Sequence, residues 1–342
     1  MCIQSRPPSY SQPSMHPPRI STLLLHHNGF RTTISSRHAY NATRSSTRLL
    51  STTTTSPSLI KTINIPAPNV GHVRVLSLNS PHNRNAISRQ LLSELSLSID
   101  TVKAQVEDEA AKGEVVGHGT RVLVLASEVD ECFCAGADLK ERRRMSKEET
   151  NDFLRGLRST LNTLSALPIP TISCISSVAL GGGLELALAT NIRVMASSAT
   201  VGLPETRLAI VPGAGGTYRL RNLIGEAAAL ELVLTGRRIH GKEASRLGIC
   251  ERLVLTDENV SNSRAKEQVL DAALEMAGQI CEGGPGAVMA ALRAVRGGRE
   301  EAENEEYEGV LAWEDRDEAL RAFGEKRGPK FTGRRKSMEG KG

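Results

Sequence analysis

Three consecutive glycines, Gly181-Gly182-Gly183, constrain this chain more than any other feature, because they separate a strand pattern from an apolar helix pattern. The segment before them, residues 170–176 (PTISCIS), is rich in β-branched residues and predicts a buried strand that enters the helix directly. Glycine lets the backbone approach a neighbour or a ligand without a side chain in the way. The first N–H groups of a helix have no partner within it. The segment therefore predicts a bare helix N-terminus, open either to a ligand or to close packing.

A second stretch of small residues lies earlier in the chain. It reads FCAGADLK, from Phe133 to Lys140, and its backbone N–H groups can also approach a ligand oxygen without steric hindrance. A plain turn is the alternative interpretation of its Ala-Gly-Ala-Asp centre. Together with the triple glycine, this stretch predicts a pair of backbone donors that face one oxygen.

Two glutamates lie among apolar and glycine residues, Glu185 in ALGGGLELA and Glu205 in VGLPETRLAIVPGAGG. Desolvation in such surroundings raises the pKa of a carboxyl group towards neutrality, so that one can act as a base and the other as an acid. The alternative for each is a half-exposed carboxylate beside leucines. A pair of this kind suits the addition of water to a double bond.

The order and spacing of AGADLK, ALGGGLELA and PETRLAIVPGAGGTYRL, within residues 70–332, resemble those of the crotonase (enoyl-CoA hydratase/isomerase) superfamily. The resemblance implies an α/β fold, a spiral of ββα units followed by a C-terminal helical trimerisation region, and assembly into a trimer or a hexamer. It also implies a lyase that hydrates an α,β-unsaturated acyl-CoA. Coenzyme A would then be part of the substrate, with no separate cofactor and no metal.

The resemblance also assigns roles to individual residues. Ala137 and Gly182 would donate the oxyanion-hole N–H groups, Glu185 would activate water, and Glu205 would protonate the α-carbon. Gly213 matches the position whose N–H orients the water. For coenzyme A the resemblance implies contacts from Arg84, Asn85, Ala86, Ala135, Asp138, Leu139, Lys140 and, through the AFGEKR segment, Lys326. Solvated surface charge is the alternative for a lysine so near the chain end.

The chain departs from the usual pattern of the superfamily at two places. Ser176-Ser177 stands where most members have Asp-Gly or Asn-Gly just before the glycine-rich helix, and the loss of that glycine can alter the turn that feeds the oxyanion hole. Asn191 replaces a usual aspartate, outside the expected chemistry.

Within the superfamily, the segments SEV, FCAGADLKER and ALGGGLELAL are similar to those of the hydratases that convert 3-methylglutaconyl-CoA to 3-hydroxy-3-methylglutaryl-CoA in leucine degradation. That substrate carries a distal carboxylate, for which Arg142 is a candidate, with surface charge as the alternative role. A general short-chain enoyl-CoA hydratase and a Δ3,Δ2-enoyl-CoA isomerase remain open. Possession of both Glu185 and Glu205 favours hydration, because isomerases commonly keep one acid.

Residues 1–60 contain six arginines, many serines and threonines, and no Lys, Asp or Glu, which predicts a mitochondrial transit peptide and a matrix location. Without those six, 37 Lys and Arg stand against the 38 Asp and Glu, so the basic character belongs to this segment. RNA-binding relatives in the superfamily place lysines along the first helix, whereas residues 91–102 have no basic residue. We therefore expect no specific RNA affinity.

The domain organisation predicted from these patterns has three parts. Residues 1–60 form the transit peptide and a linker without regular structure, 61–265 the spiral core, and 266–342 the C-terminal helical region. The Ser/Thr/Pro-rich linker is predicted over residues 51–68, so that the fold begins near Val70. The cysteines lack disulfide or metal-ligand spacing, and Cys132 and Cys134 are interpreted as reduced core residues. No run of eighteen apolar residues occurs.

Overall fold

The computed structural model describes residues 58–113, 115–257 and 259–336, so nearly all of the predicted transit peptide and linker lies outside the described residues. The strands are β1 Ile60–Pro66, β2 His72–Leu78, β3 Thr120–Ser127, β4 Cys132–Cys134, β5 Thr171–Ile175, β6 Val178–Leu180, β7 Ile192–Ala196, β8 Thr200–Gly202, β9 Ile239–His240 and β10 Arg252–Val254. The α-helices are α1 Arg89–Lys112, α2 Leu139–Arg142, α3 Lys147–Ala166, α4 Gly182–Leu188, α5 Gly216–Ile224, α6 Glu226–Thr235, α7 Gly241–Leu247, α8 Asn262–Glu282, α9 Pro285–Gly297, α10 Glu300–Val310 and α11 Glu314–Gly324. Short 3-10 helices occupy Pro81–Asn83 and Pro204–Leu208.

The larger sheet has the strand order β1-β2-β3-β5-β7-β10, in which every neighbouring pair except β1 and β2 is parallel. Its central strand β3 is buried along its whole length, because a parallel sheet is covered on both faces. The helix α8 packs across β3, β5 and β7 on one of those faces. This sheet and its helices form the core that supports the site.

The smaller sheet has the order β4-β6-β8-β9, and each of its first three strands directly follows a strand of the larger sheet. The pairs β3/β4, β5/β6 and β7/β8, each followed by helix, make the predicted spiral of ββα units. Because β4, β6 and β8 are parallel neighbours, the segments that leave their carboxyl ends lie side by side. Those three segments carry the small-residue stretch, the triple glycine and Glu205.

The helix boundaries agree with the sequence signals at the start of α1 and differ from them at other places. The sequence predicts a helix from about Ser88 to Val106 with Ser88 as its N-cap. Ser88 caps α1 by accepting a hydrogen bond from the Leu91 N–H, and the helix continues six residues beyond Val106, to Lys112. The single helix predicted over 140–166 is wrong, because the chain breaks after α2 and restarts at a capping box formed by Ser146 and Glu149. The helix α5 was not predicted.

The predicted start of the fold near Val70 is wrong, since β1 pairs antiparallel with β2 from Ile60 opposite Leu78 to Pro66 opposite His72. Within β1 only Ile60 is buried, so this edge strand lacks the apolar alternation that marks a half-buried strand. The predicted division at residue 265 falls inside α8, and it stays a prediction.

The C-terminal part is helical, as predicted, from α8 to α11. Its helices leave several large apolar side chains exposed, namely Val295, Tyr307, Leu320 and Phe323. Among the described residues, no helix is both long enough and apolar enough to cross a bilayer. Cys132 and Cys134 are buried free thiols, as predicted, and burial raises the pKa of each to about 11 and about 12 respectively.

Candidate active site

A cavity of about 340 Å³ opens where the segments after β4, β6 and β8 meet. Its walls contain backbone donors, two carboxyl groups and apolar side chains, the composition expected of a small-molecule site. The predicted site residues that line it are Ala135, Ala137, Leu139, Arg142, Gly182, Glu185, Glu205 and Gly213. The fold therefore brings together the residues that the motifs had singled out across nearly eighty positions of sequence.

The two predicted oxyanion donors, the N–H groups of Ala137 and Gly182, lie close together in the wall of this cavity. Ala137 forms a parallel bridge with Ile87, but the bonds of the bridge are made by the Gly136 carbonyl and the Asp138 N–H, which leaves the Ala137 N–H out of them. Gly182 is the first residue of α4, so its N–H has no acceptor within the helix. The Ala137 nitrogen lies 3.5 Å from the place that a Cβ on Gly182 would take.

The triple glycine is required by packing as well as by access. A Cβ on Gly183 would lie 2.1 Å from the carbonyl oxygen of Cys134, which excludes any side chain there. Gly181 has a φ of +53°, and its added Cβ would lie 2.9 Å from Oε1 of Glu205. Close packing therefore accounts for Gly181 and Gly183, and access of a ligand to the Gly182 N–H stays a prediction.

Glu185 lies on the first turn of α4 and is 2% exposed. Its Oε1 accepts hydrogen bonds from the N–H groups of Ala214, at 2.7 Å, and Gly216, at 2.8 Å. Burial raises the pKa of this carboxyl group, while the two N–H donors and the guanidinium groups of Arg219 and Arg158 oppose the rise. These partners favour the carboxylate form, which is the form that a general base needs.

Glu205 lies in the 3-10 helix that follows β8 and is 9% exposed. Its Oε2 is buried and has no hydrogen-bond partner among the described residues. Burial raises the pKa of Glu205 to about 7, and the charge of Glu185 adds to the rise. Two carboxyl groups whose surroundings separate their pKa values are suited to act as a base and an acid.

The turn that holds Glu185 contains functional groups that the sequence reasoning missed. Gly213, the predicted water-orienting residue, lines the cavity, but the described donors to Glu185 are the N–H groups of Ala214 and Gly216. The run of small residues in PGAGG was the available signal. A Cβ on Gly216 would lie 3.0 Å from Cγ of Glu185, so this position also needs to be small.

Two residues predicted to contact coenzyme A use their side chains to shape the site. The buried Asn85 amide donates to Oγ of Ser127 and to the carbonyl of Phe133. Asp138 caps α2 by accepting from the N–H groups of Lys140 and Glu141. Backbone atoms of these segments, not the two polar side chains, are therefore left for a ligand.

The remaining predicted contacts differ in position. Arg84 and Lys140 are exposed, and the Arg84 carbonyl accepts from the N–H of Ala135, which joins the two segments. Arg142 is half-buried in the cavity wall, and no acidic side chain in the described part of the chain forms an ion pair with it. Lys326 is exposed beyond the end of α11 and is not among the residues that line the cavity.

The departures at Ser176-Ser177 and Asn191 are both accommodated in the structure. The Ser177 carbonyl accepts from the Thr200 N–H, while its buried Oγ has no partner among the described residues. Oδ1 of Asn191 accepts from the N–H of Thr171 at 2.9 Å, which ties the start of β5 to the start of β7. The turn before the triple glycine therefore retains its strand pairing without the usual glycine.

The cations of α1 are paired with acids. Arg89 pairs with Glu149, Lys103 with Glu107, and Lys112 with Asp108. A surface that follows a phosphate backbone needs clustered free cations. The absence of specific RNA affinity stays a prediction.

Comparison with known proteins gives one family and several near relatives. The model of the family described as enoyl-CoA hydratase/isomerase matches residues 69–334. An enoyl-CoA isomerase/hydratase of Zymoseptoria tritici is 54% identical, over 79% of this chain and 87% of its own. Methylglutaconyl-CoA hydratase 1, mitochondrial, of Pyricularia oryzae is 51% identical, over 79% of this chain and 86% of its own. The crystal structure of an enoyl-CoA hydratase from Bacillus anthracis, 39% identical, matches 80% of this chain and 99% of its own with a TM-score of 0.70.

Proposed function

Since this chain belongs to the enoyl-CoA hydratase/isomerase family, we propose that it hydrates the double bond of 3-methylglutaconyl-CoA to give 3-hydroxy-3-methylglutaryl-CoA, a step of leucine degradation. The observation that carries the hydration is the pair of buried carboxyl groups, Glu185 and Glu205, that line one cavity in opposite hydrogen-bonding environments. The choice of acyl group is supported by the name of the Pyricularia oryzae relative and by Arg142 in the cavity wall.

The thioester carbonyl of the substrate accepts hydrogen bonds from the N–H groups of Ala137 and Gly182. Negative charge collects on that oxygen when a nucleophile adds to the β-carbon, so the donors stabilise the transition state more than the ground state. Loss of one such donor in other enzymes costs roughly 3 to 4 kcal/mol. These donors are backbone groups on packed elements, so they need no reorganisation during the reaction.

Glu185 accepts a proton from water as the oxygen bonds to the β-carbon, and Glu205 delivers its own proton to the α-carbon. The products are the hydroxyacyl-CoA, a protonated Glu185 and an ionised Glu205, and exchange with solvent restores both. The Gly213 N–H orients the water, next to the Ala214 and Gly216 groups that hold Glu185. The division of labour follows the surroundings, because two described N–H groups donate to the Glu185 carboxylate, whereas Oε2 of Glu205 has no partner among the described residues.

Arg142 binds the distal carboxylate of the acyl group in this proposal. Its guanidinium is half-buried and has no acidic partner among the described residues, so an anionic substrate would neutralise it. A charge-assisted hydrogen bond of this kind is worth roughly 1.5 to 3 kcal/mol, or about ten- to a hundredfold in kcat/KM. Crotonyl-CoA, which lacks the carboxylate, would gain nothing from Arg142.

The test is a hydration assay that follows loss of the conjugated enoyl thioester for 3-methylglutaconyl-CoA and crotonyl-CoA. We expect Arg142→Ala to lower kcat/KM about ten- to a hundredfold on the first substrate and to leave the second nearly unchanged. Arg144→Ala is the matched control, because Arg144 is exposed and does not line the cavity. An equal loss on both substrates would remove the carboxylate role from Arg142.

Two results would redirect the proposal as a whole. Faster turnover of crotonyl-CoA by the unmutated protein would make this chain a general short-chain enoyl-CoA hydratase. Conversion of a 3-enoyl-CoA to the 2-enoyl isomer without hydration would favour the isomerase activity that the Zymoseptoria tritici relative also carries in its name.

The remaining features of the proposal follow the family and the relatives' names. Backbone atoms of residues 84–86 and 135–140 hold coenzyme A, and the protein works without a separate cofactor. In a homo-trimer, or a hexamer made of two trimers, subunit contacts would cover the exposed apolar side chains of the C-terminal helices. Lys326 does not line the cavity of its own chain, and in such an oligomer it would lie near that of a neighbouring subunit. A mitochondrial matrix location accords with the mitochondrial relatives. Sedimentation equilibrium and N-terminal sequencing of protein from isolated mitochondria test these points.

A further inference from the structure

The turn at residues 213–215 has all three of its backbone carbonyls bound by arginines. Nε of Arg158 donates to the Gly213 oxygen at 2.6 Å, and Nη1 of Arg219 donates to the Ala214 oxygen at 2.8 Å. The Arg219 backbone N–H donates to the Gly215 oxygen at 3.0 Å. The three carbonyls of the turn therefore accept hydrogen bonds from α3 and α5. The N–H groups of Ala214 and Gly216 bind Glu185.

The carbonyl of Gly213 and the N–H of Ala214 belong to one peptide group. In a trans peptide these two bonds are held in one plane and point in opposite directions. Arg158 binds the oxygen end of this group and Glu185 binds the hydrogen end, so a single rigid unit separates a guanidinium from a carboxylate. Hydrogen bonds in such a chain polarise one another, and an ionised partner at each end makes both bonds charge-assisted.

We propose that Arg158 is a positioning residue for Glu185, acting through the peptide group between Gly213 and Ala214. Arg158 does not line the cavity, and its connection to Glu185 runs through the 213–214 peptide group. It fixes the direction of the Ala214 N–H and, with its charge, stabilises the ionised form of Glu185 across the peptide. The inference rests on the proposed hydration in assigning Glu185 as the base.

The charged groups that face Glu185 come from three neighbouring elements. Arg158 lies on α3 and Arg219 on α5, and both lower the pKa of Glu185 against the effect of burial. Glu205 faces it from the 3-10 helix, and the charge of Glu185 raises the pKa of Glu205. Arg219 is also held by Asn162, whose Oδ1 accepts from its Nη2 at 2.8 Å. Arg158 is thus the arginine whose side chain binds the 213–214 peptide group directly.

The same helix offers a matched control. Arg155 is three residues before Arg158 on α3, is exposed, and pairs with Asp152 instead of with the turn. Arg155→Met and Arg158→Met remove the same charge from the same helix with the same change in side-chain shape. Arg158→Lys keeps the charge and restores a single donor.

The experiment compares the dependence of kcat/KM on pH for the unmutated protein, Arg158→Met, Arg158→Lys and Arg155→Met. Loss of the Arg158 charge raises the pKa of Glu185, so the acid limb of the profile should move to higher pH. At the acid end of the profile we expect Arg158→Met to lose about three- to tenfold, with a loss of roughly twofold or less on the alkaline side. Arg158→Lys should recover most of the difference, and Arg155→Met should follow the unmutated profile.

A second readout needs no turnover. An infrared titration of the carboxyl group, taken as the difference between each protein and its Glu185→Gln version, reports the ionisation of Glu185 directly. An Arg158→Met protein that ionises Glu185 at the unmutated pH, or that loses activity equally at every pH, would overturn the inference. If the unmutated protein hydrates no enoyl-CoA, the proposed function fails while the infrared titration still decides the role of Arg158.

Discussion

The two walls of the cavity each contain one buried carboxyl group, and the two groups have different hydrogen-bond partners. On the α4 side, Glu185 is almost fully buried and receives two backbone N–H donors, with two arginines beyond them. On the 3-10 helix side, Glu205 is nearly as buried, and its Oε2 has no partner in the described part of the chain. Burial raises the pKa of both carboxyl groups; two N–H donors and two arginines oppose the rise at Glu185, whereas at Glu205 the charge of Glu185 adds to it. The proposed division into base and acid would therefore rest on the surroundings of the two residues and not on residue type.

The sharpest way to break this comparison is to remove each charge in turn. Glu185→Gln and Glu205→Gln should each lower kcat by at least about a hundredfold with little change in acyl-CoA binding, because each deletes one proton transfer. Residual activity should lose its acid limb in Glu185→Gln and its alkaline limb, near the Glu205 pKa of about 7, in Glu205→Gln. Steady-state kinetics across pH provide the measurement, and near-normal turnover in either variant would refute the two-glutamate mechanism.

The pH dependence of the free energy of unfolding should also distinguish Glu205 from Glu185. The pKa of Glu205 rises from 4.5 to about 7 on folding, so its contribution to stability is fully present below pH 4.5 and is lost as pH rises through 7. Glutamine does not ionise, so the variant does not lose this contribution. The free energy of unfolding of Glu205→Gln, relative to that of the unmutated protein, should therefore be about 2 kcal/mol higher at pH 8 than at pH 5. Urea unfolding at both values, at one fixed protein concentration, measures this difference.

The corresponding variant of the other wall is the control for that measurement. Burial raises the pKa of Glu185 too, but its two N–H donors oppose the rise, so we expect Glu185→Gln to gain less stability between pH 5 and pH 8 than Glu205→Gln gains. Equal gains in the two variants would mean that the walls do not differ.

The smallest effect tests the fit of the turn against Glu185. In Gly216→Ala the added Cβ would lie 3.0 Å from Cγ of Glu185 and 3.1 Å from its Oε1, so the carboxylate must shift by a few tenths of an ångström. We expect about a tenfold loss in kcat, since small displacements of a catalytic group are costly. Gly278→Ala within α8, where an added Cβ meets nothing within 4 Å, should leave kcat unchanged. An unchanged kcat in Gly216→Ala would show that Glu185 tolerates looser positioning.

Local sequence was enough to predict the residues on both walls, and it was silent on what distinguishes them. The apolar and glycine residues that adjoin Glu185 and Glu205 in sequence are enough to single out both carboxyl groups. The two small-residue segments are recognised in the same way. Arg158 binds a carbonyl 55 positions away in sequence. From the sequence of its own helix it is indistinguishable from a solvated surface arginine. The spacing of the ββα strands predicts which segments meet, but not which hydrogen bonds form where they meet.

Two of the failures of the fold prediction can be traced to particular residues. β1 is an edge strand with one buried side chain, so it carries no periodic signal. The break between α2 and α3 depends on a capping box at Ser146, which competes with continuous helix in a polar stretch of sequence. The position of Lys326 depends on tertiary packing that the AFGEKR segment does not encode locally.

The edge strand sets a limit on proteolytic maturation. β1 covers one side of β2 from Ile60 to Pro66, and the Ser58 hydroxyl and the Leu59 N–H reach Glu94 on α1 just before it. A cleavage beyond Ile60 would strip part of this cover and leave backbone N–H and C=O groups of β2 free to pair with another chain. Removal of the predicted transit peptide would therefore have to occur before Ser58 to leave a stable, non-aggregating protein.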